Sequence, residues 1–193
     1  MRKLILASTS PRRKEILEKL TIPFETQNSD FEEDMSQDLS AEDLAKSLSF
    51  GKAKAVADKN PDAIVIGADT FVYFGGKKVG KPKDSEDAKM MLKEMSGKPH
   101  SVFTGYTIID TSSGKVITKV IETKVYFKSL SEKQIEDYVA TGEPLDKAGS
   151  YALQGLGAIL IDRIEGDFFN VMGLPLSSLS DSLNEFGVSA FIS

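Results

Sequence analysis

Short, almost wholly apolar runs alternate along the chain with stretches in which apolar positions recur every three or four residues, the pattern of an α/β protein. Lys3 to Ser8 reads as a buried strand. Ser10-Pro11 places a capping serine before a proline at the first helical position, predicting a helix to about Leu20. Phe24 to Gln27 is compatible with a second short strand, and the acidic run from Asp30 to Asp34 reads as a loop. Ser40 caps a further helix with Asp43 in its first turn and Leu44, Leu48 and Val56 spaced along one face. The run from Asp62 to Ala68 is apolar at nearly every position, as in a strand covered on both faces, and delivers Asp69 and Thr70 at its carboxyl end. Phe71 to Phe74, Gly75-Gly76 and Lys77 to Val79 form a hairpin pattern.

Beyond it, a helix is predicted from Ser85 to Met95, stopped by Gly97. Two long β-rich segments, Val102 to Thr111 and Lys115 to Phe127, flank a turn at Ser112-Ser113-Gly114. Ser131 and Gln134 are spaced as a capping box opening another helix, and a last helix runs from about Leu174 to Gly187. No repeat, linker or low-complexity tract interrupts the chain, so residues 1–193 are expected to form a single α/β domain.

Composition narrows the chemistry. No apolar run approaches the roughly 18 residues of a membrane span, and Leu4 to Ala7, followed at once by Arg12 and Arg13, is too short for a secretory core. The chain has no cysteine, which makes a cytoplasmic address the default, and its single histidine, His100, reads as a strand residue without an assigned role. Thiol nucleophiles, cysteine zinc sites and histidine-rich metal centres are thereby excluded. Catalysis would fall to carboxylates, hydroxyls and basic groups, with a hard metal bound through oxygen. A net charge of −5 argues against nucleic acid as a partner, so a polyphosphate ligand would need local clusters of Lys and Arg.

Such clusters exist. Ser8-Thr9-Ser10-Pro11-Arg12-Arg13 joins a strand to a helix whose first N–H groups and positive dipole end face the connecting loop, a cradle suited to phosphate. Equally, Ser10 caps the helix and the arginines are solvated. Asp69 at a strand end can bind a metal or deprotonate a water, or cap a turn. Glu32 and Glu33 are candidate second metal ligands in a loop that is otherwise a solvated acidic face. Lys52 and Lys54 stand two apart on a helix, so only one can face a given site. Lys81 in Gly80-Lys81-Pro82 sits on a loop that proline holds extended. The Gly- and charge-rich stretch from Glu143 to Gly155 reads as a binding loop. Within it Gln154 offers an amide donor and acceptor side by side, matching the N3–H and carbonyl of uracil or thymine. The alternative is a surface loop with an incidental glutamine.

Taken in order, S-T-S-P-R-R, G-A-D-T, G-K-P, M-S-G-K-P-H, D-K-A-G-S-Y-A-L-Q-G and E-G-D-F-F-N-V-M-G-L-P-L resemble the Maf family of nucleotide pyrophosphatases over nearly the whole chain. The resemblance implies an α/β fold like that of inosine triphosphate pyrophosphatases, a mixed sheet with flanking helices and a cleft between two lobes. It implies metal-dependent hydrolysis of a nucleoside triphosphate to the monophosphate and pyrophosphate, with Asp69 as general base. The expected metal is Mg²⁺ or Mn²⁺ with Glu33 and Asp69 as candidate ligands, and the sequence leaves open whether Asp69 is both ligand and base. A-G-S-Y-A-L-Q-G is similar to the branch acting on dTTP and UTP, which usually carries Y-x-I-Q-G, with Leu153 here in place of Ile. CTP and modified pyrimidine triphosphates are further candidates. In that branch specificity falls to residues matching Arg12, Thr70 and Gln154, whereas the branch acting on 7-methyl-GTP has a glutamate near the last position. Ser8, Arg13, Lys52 and Lys81 are then the phosphate-binding groups. A homodimer is a family expectation. The rival reading is a nucleotide-binding regulatory protein linked to septum formation, which would need the basic cradle but no base at Asp69.

Overall fold

The computed structural model describes residues 2–32 and 39–191. Strands β1 (Lys3–Leu6), β2 (Glu25–Thr26), β3 (Ala63–Phe74), β4 (Lys77–Val79), β5 (Pro99–Asp110), β6 (Val116–Phe127) and β7 (Ile161–Glu165) alternate with helices. These are α1 (Pro11–Glu18), α2 (Ala41–Ala57), α3 (Ser85–Met95), α4 (Glu132–Ala140), α5 (Phe168–Met172) and α6 (Leu176–Asn184). Among the described residues the strands form one seven-stranded sheet in the order β2-β1-β3-β5-β6-β7, with β4 paired to β3. β1 runs parallel to β2 and β3, whereas β3–β4 and β6–β7 are antiparallel, so the sheet is mixed and flanked by helices, as anticipated. No helix among the described residues is long and apolar enough to cross a membrane.

The chain gathers into two compact units: Met1–Thr70 with Thr104–Ile121 and Met172–Ser193, and Phe71–Phe103 with Glu122–Val171. In the first, β1 and β3 pair in register from Lys3↔Ala63 to Leu6↔Ile66. Because successive strand side chains face opposite ways, Ile5, Ala7, Ala63, Val65 and Ile109 pack with Ala53, Val56 and Ala57 of α2. Two glycines bring that helix to backbone contact. A Cβ on Gly67 would lie 2.4 Å from Ala53 N and 2.5 Å from Ser49 O, and one on Gly105 would lie 2.1 Å from Ala45 O. On the other face Tyr106, fully buried, donates its hydroxyl proton to Ser178 O of α6 at 2.8 Å.

The second unit has its own core of Val72, Leu92, Met95, Val125, Phe127, Ile135, Tyr138 and Tyr151. The capping box at Ser131 and Gln134 is formed, and α4 follows from it. His100 is buried, with its ring edge-on to Phe127 and Tyr151 at centroid distances of 5.1 and 5.3 Å. Its Nε2 lies 2.8 Å from the Tyr151 hydroxyl, and burial lowers its pKa to about 4.

Several elements differ from expectation. The first helix stops at Glu18 rather than near Leu20, and Leu44 is only half-buried on α2. β3 does not end at Ala68 but runs on to Phe74, so Asp69 lies inside the strand rather than at its carboxyl end. Phe71 and Val72 are buried and continue the extended pattern. The hairpin itself turns where expected, at Gly75 and Gly76, whose φ of 59° and 80° is the left-handed geometry a two-residue hairpin requires. The Glu143–Gly155 stretch is no open loop: two 3₁₀ turns, Glu143–Asp146 and Ala148–Ser150, fall within it, and a third, Leu156–Leu160, follows.

Candidate active site

The residues singled out in the first unit form two groups, and β3 explains why. Asp69 and Thr70 are neighbours on one strand and therefore project from opposite faces. Asp69 faces α2. Its side chain is 8% exposed and its Oδ1 accepts a hydrogen bond from Lys52 Nζ at 2.5 Å, the lysine side chain being 14% exposed. Lys54, two positions on, instead pairs with Asp58 near the helix end. The contact depends on the glycine interfaces, because Gly67 lets α2 lie directly against β3 two residues before Asp69.

Thr70 meets Arg13. Ser10 caps α1 from extended backbone, its Oγ accepting from Arg13 N, and the turn carries Ser8 beneath it with Ser8 Oγ accepting from Ser10 N at 3.2 Å. The Arg13 guanidinium then donates to Gly173 O at 3.0 Å, to Thr70 Oγ1 at 3.3 Å and to Ser8 Oγ at 3.5 Å. Thr70 Oγ1 also reaches Gly173 O at 3.2 Å and Thr104 Oγ1 at 2.9 Å. The Arg12 side chain is exposed and, among the described residues, makes no hydrogen bond or ion pair. The strand-to-helix cradle thus has one arginine locked into it and one held outside.

Thr104 and the Gly173 carbonyl were not foreseen. No local signal marks Thr104, which is fully buried inside β5. Gly173 stands in M-G-L-P-L at a φ of 118°, a conformation that favours glycine, so its carbonyl orientation was readable only as a break before the last helix.

In the second unit Lys81 and Gln154 are both exposed. The loop bearing Lys81 is tied down by Gly149 N–H donating to Gly80 O at 3.0 Å. Gln154 sits on a turn whose flanks bond to Glu143 and Tyr138. Burial pushes the Glu143 carboxyl upward, but N–H groups of Gly157 and Leu156 and the Tyr138 hydroxyl outweigh it and hold the group below its ordinary value.

Glu33 lies outside the described residues, and Glu32 is exposed. No group of three or more His, Cys, Asp or Glu that could hold a metal occurs among the described residues. The oxygen donors of Asp69 suit a hard cation that takes one or two carboxylates and completes its shell with phosphate oxygens and water. A fixed all-protein cage is a different chemistry.

The chain is similar to known proteins along nearly its whole length. It is 50% identical over 188 residues to the dTTP/UTP pyrophosphatase of Desulforamulus reducens, covering 97% of this chain and 98% of that one. It is 48% identical over 191 residues to the dTTP/UTP pyrophosphatase of Alkaliphilus oremlandii, covering 98% and 99%. A solved Staphylococcus aureus Ham1 protein aligns at 11% identity and a TM-score of 0.47, covering 66% of this chain and 73% of that one. The Maf-like protein family model matches residues 3–186, and the chain belongs to the Maf family.

Proposed function

We propose that this protein hydrolyses dTTP and UTP to the nucleoside monophosphate and pyrophosphate. The observation that carries this reading is 50% identity over 97% of the chain to a dTTP/UTP pyrophosphatase. Asp69, fixed by Lys52, would orient and deprotonate the water that attacks the α-phosphorus. The ammonium beside it holds the carboxylate in place and would also offer positive charge to a phosphate. A divalent cation, Mg²⁺ or Mn²⁺, held by Asp69 and Glu33, would supply neutralisation of the phosphate oxygens. Ser8, Arg13 and Lys81 would receive negative charge as it shifts to the leaving pyrophosphate. The base would be read by Gln154, with Arg12 and Thr70 completing the selection.

The reaction would take place in the cytoplasm. The test is a panel of dTTP, UTP, CTP, GTP, ATP and 7-methyl-GTP with Mg²⁺ or Mn²⁺, assayed for pyrophosphate. Pyrimidine triphosphates turned over preferentially, with pyrophosphate as the sole inorganic product, is the expected result. Release of orthophosphate instead, or no turnover of any triphosphate, would overturn it.

A further inference from the structure

Glu143 opens a 3₁₀ turn immediately after Gly142, whose φ of 75° reverses the chain at the end of α4. Its carboxylate is directed onto the backbone that carries Gln154. Oε1 accepts from the Tyr138 hydroxyl and from Gly157 N–H, both at 2.9 Å, and Oε2 accepts from Leu156 N–H at 2.9 Å. The Tyr138 oxygen in turn accepts from Ala152 N–H at 3.3 Å. Ala152 precedes Gln154 by two residues and Leu156 follows it by two, so both flanks of the turn are bound to one carboxylate, directly or through one hydroxyl.

The fit leaves no slack. A Cβ on Gly155 would lie 2.2 Å from Glu143 Oε2 and 2.6 Å from Oε1, so only glycine lets the turn approach this closely. Ala152 and Gly157 are buried while Gln154 between them is exposed. The N–H groups of Ala152 and Gly157 need an internal acceptor, but that of exposed Leu156 could bond to water, so satisfaction alone does not call for one carboxylate to hold both flanks. Charge-assisted bonds to an ionised acceptor are the stronger and more geometrically restrictive choice. What they restrict here is the direction in which a single amide side chain leaves the backbone.

We propose that Glu143 is a positioning residue for base selection, setting the orientation of Gln154 without touching the nucleotide. This rests on the reading of Gln154 as the group that recognises the pyrimidine. Glu143 is distinct from the binding groups because both its carboxylate oxygens are engaged by its own chain.

The test is a double-variant cycle on the full-length protein, measuring kcat and KM for dTTP and GTP together with melting temperature. The variants are Gln154→Ala, Glu143→Gln and both combined. Glutamine at 143 must turn an NH₂ donor toward one of the N–H or O–H groups now bonded, so the clamp is broken while shape is kept. Expected is a roughly tenfold fall in the dTTP-to-GTP ratio of kcat/KM for Glu143→Gln, equivalent to about 1.4 kcal/mol. The fall should lie mainly in KM for dTTP. On the Gln154→Ala background the same change should leave the ratio where it was. An unchanged ratio in Glu143→Gln beside an altered one in Gln154→Ala overturns the role of Glu143 and leaves the reading of Gln154 standing. An unchanged ratio in Gln154→Ala overturns both. Independent, multiplying effects in the double variant would show that Glu143 acts by another route. If Glu143→Gln fails to fold, Tyr138→Phe removes only the hydroxyl that ties Ala152 to the carboxylate, and must lower the same ratio.

Discussion

Replacing Asp69 by Asn tests the proposed general base and the stabilising Lys52–Asp69 pair with separate readouts. The two side chains are 14% and 8% exposed and meet at 2.5 Å, so this is neither a surface pair nor a wholly dry one. Asn keeps an amide oxygen facing the ammonium but removes the opposing charge. A hydrogen bond to a charged group is worth about 1.5–3 kcal/mol, below the roughly 3–5 kcal/mol of breaking a buried pair outright. At roughly 2–4 °C per kcal/mol for a chain of this size, the melting temperature should drop by about 3–12 °C. The fold should persist at 25 °C, while kcat with dTTP falls by about 10²–10⁴ from loss of the base. Lys52→Met should cost more stability than Asp69→Asn, because it strands a buried carboxylate. The double variant should be more stable than the sum of the single losses implies. Pyrophosphate release and thermal melts of all four proteins decide the matter. Wild-type kcat in Asp69→Asn would remove Asp69 as the base, and strictly additive melting shifts would show that the pair does not form in solution.

Arg13→Ala should lower stability by about 1–3 kcal/mol, since it strips partners from Thr70 and Gly173 O. Arg12→Ala should leave melting within about 0.5 kcal/mol of wild type and change the ranking of nucleotides, and matching effects of the two on both readouts would sink the distinction. Gln154→Glu should reduce kcat/KM for dTTP and UTP by about one to two orders of magnitude, because an amide donor becomes a second acceptor facing a carbonyl. An unaltered ratio of dTTP to 7-methyl-GTP turnover would place base reading elsewhere. His100 titrates at 6.5 when unfolded and at about 4 in the fold, because burial disfavours its charged form. The unfolded chain therefore binds the proton more readily. The contribution of His100 is complete above pH 6.5, shrinks as pH falls and levels off near pH 4, a loss of about 3 kcal/mol. Denaturant titrations of wild type and His100→Phe across that range should diverge, and parallel curves would refute the assignment.

Local rules carried far into this fold. The caps at Ser10, Ser40 and Ser131 and the Gly75-Gly76 hairpin were legible because each is decided by a few neighbouring residues and their own backbone chemistry. β7 was not, since I-D-R-I-E has too little apolar periodicity to declare itself. It forms by pairing with β6, where Arg163 lies 3.7 Å above the Tyr126 ring and Tyr126 donates to Glu165. The candidate site divides in the same way. Asp69, Lys52, Ser8, Arg13 and Gln154 could be nominated from residue type and position. That Arg13 rather than Arg12 is locked to Thr70 and Gly173, and that Glu143 grips the Gln154 turn, are matters of long-range pairing.

The two glycine contacts of α2 bear on how this enzyme can tolerate change. Where a helix rests on a sheet through side chains, its height above the strands is an average over many rotamers, and each core substitution shifts it a little. Here Gly67 and Gly105 seat α2 by backbone against backbone, a hard stop with nothing compressible in between. The distance from Lys52 to Asp69 is thereby gauged by two hydrogen-only positions that take no part in the reaction. Drift in the surrounding core can accumulate without moving the ammonium off the carboxylate, so long as those two positions never gain a methyl group.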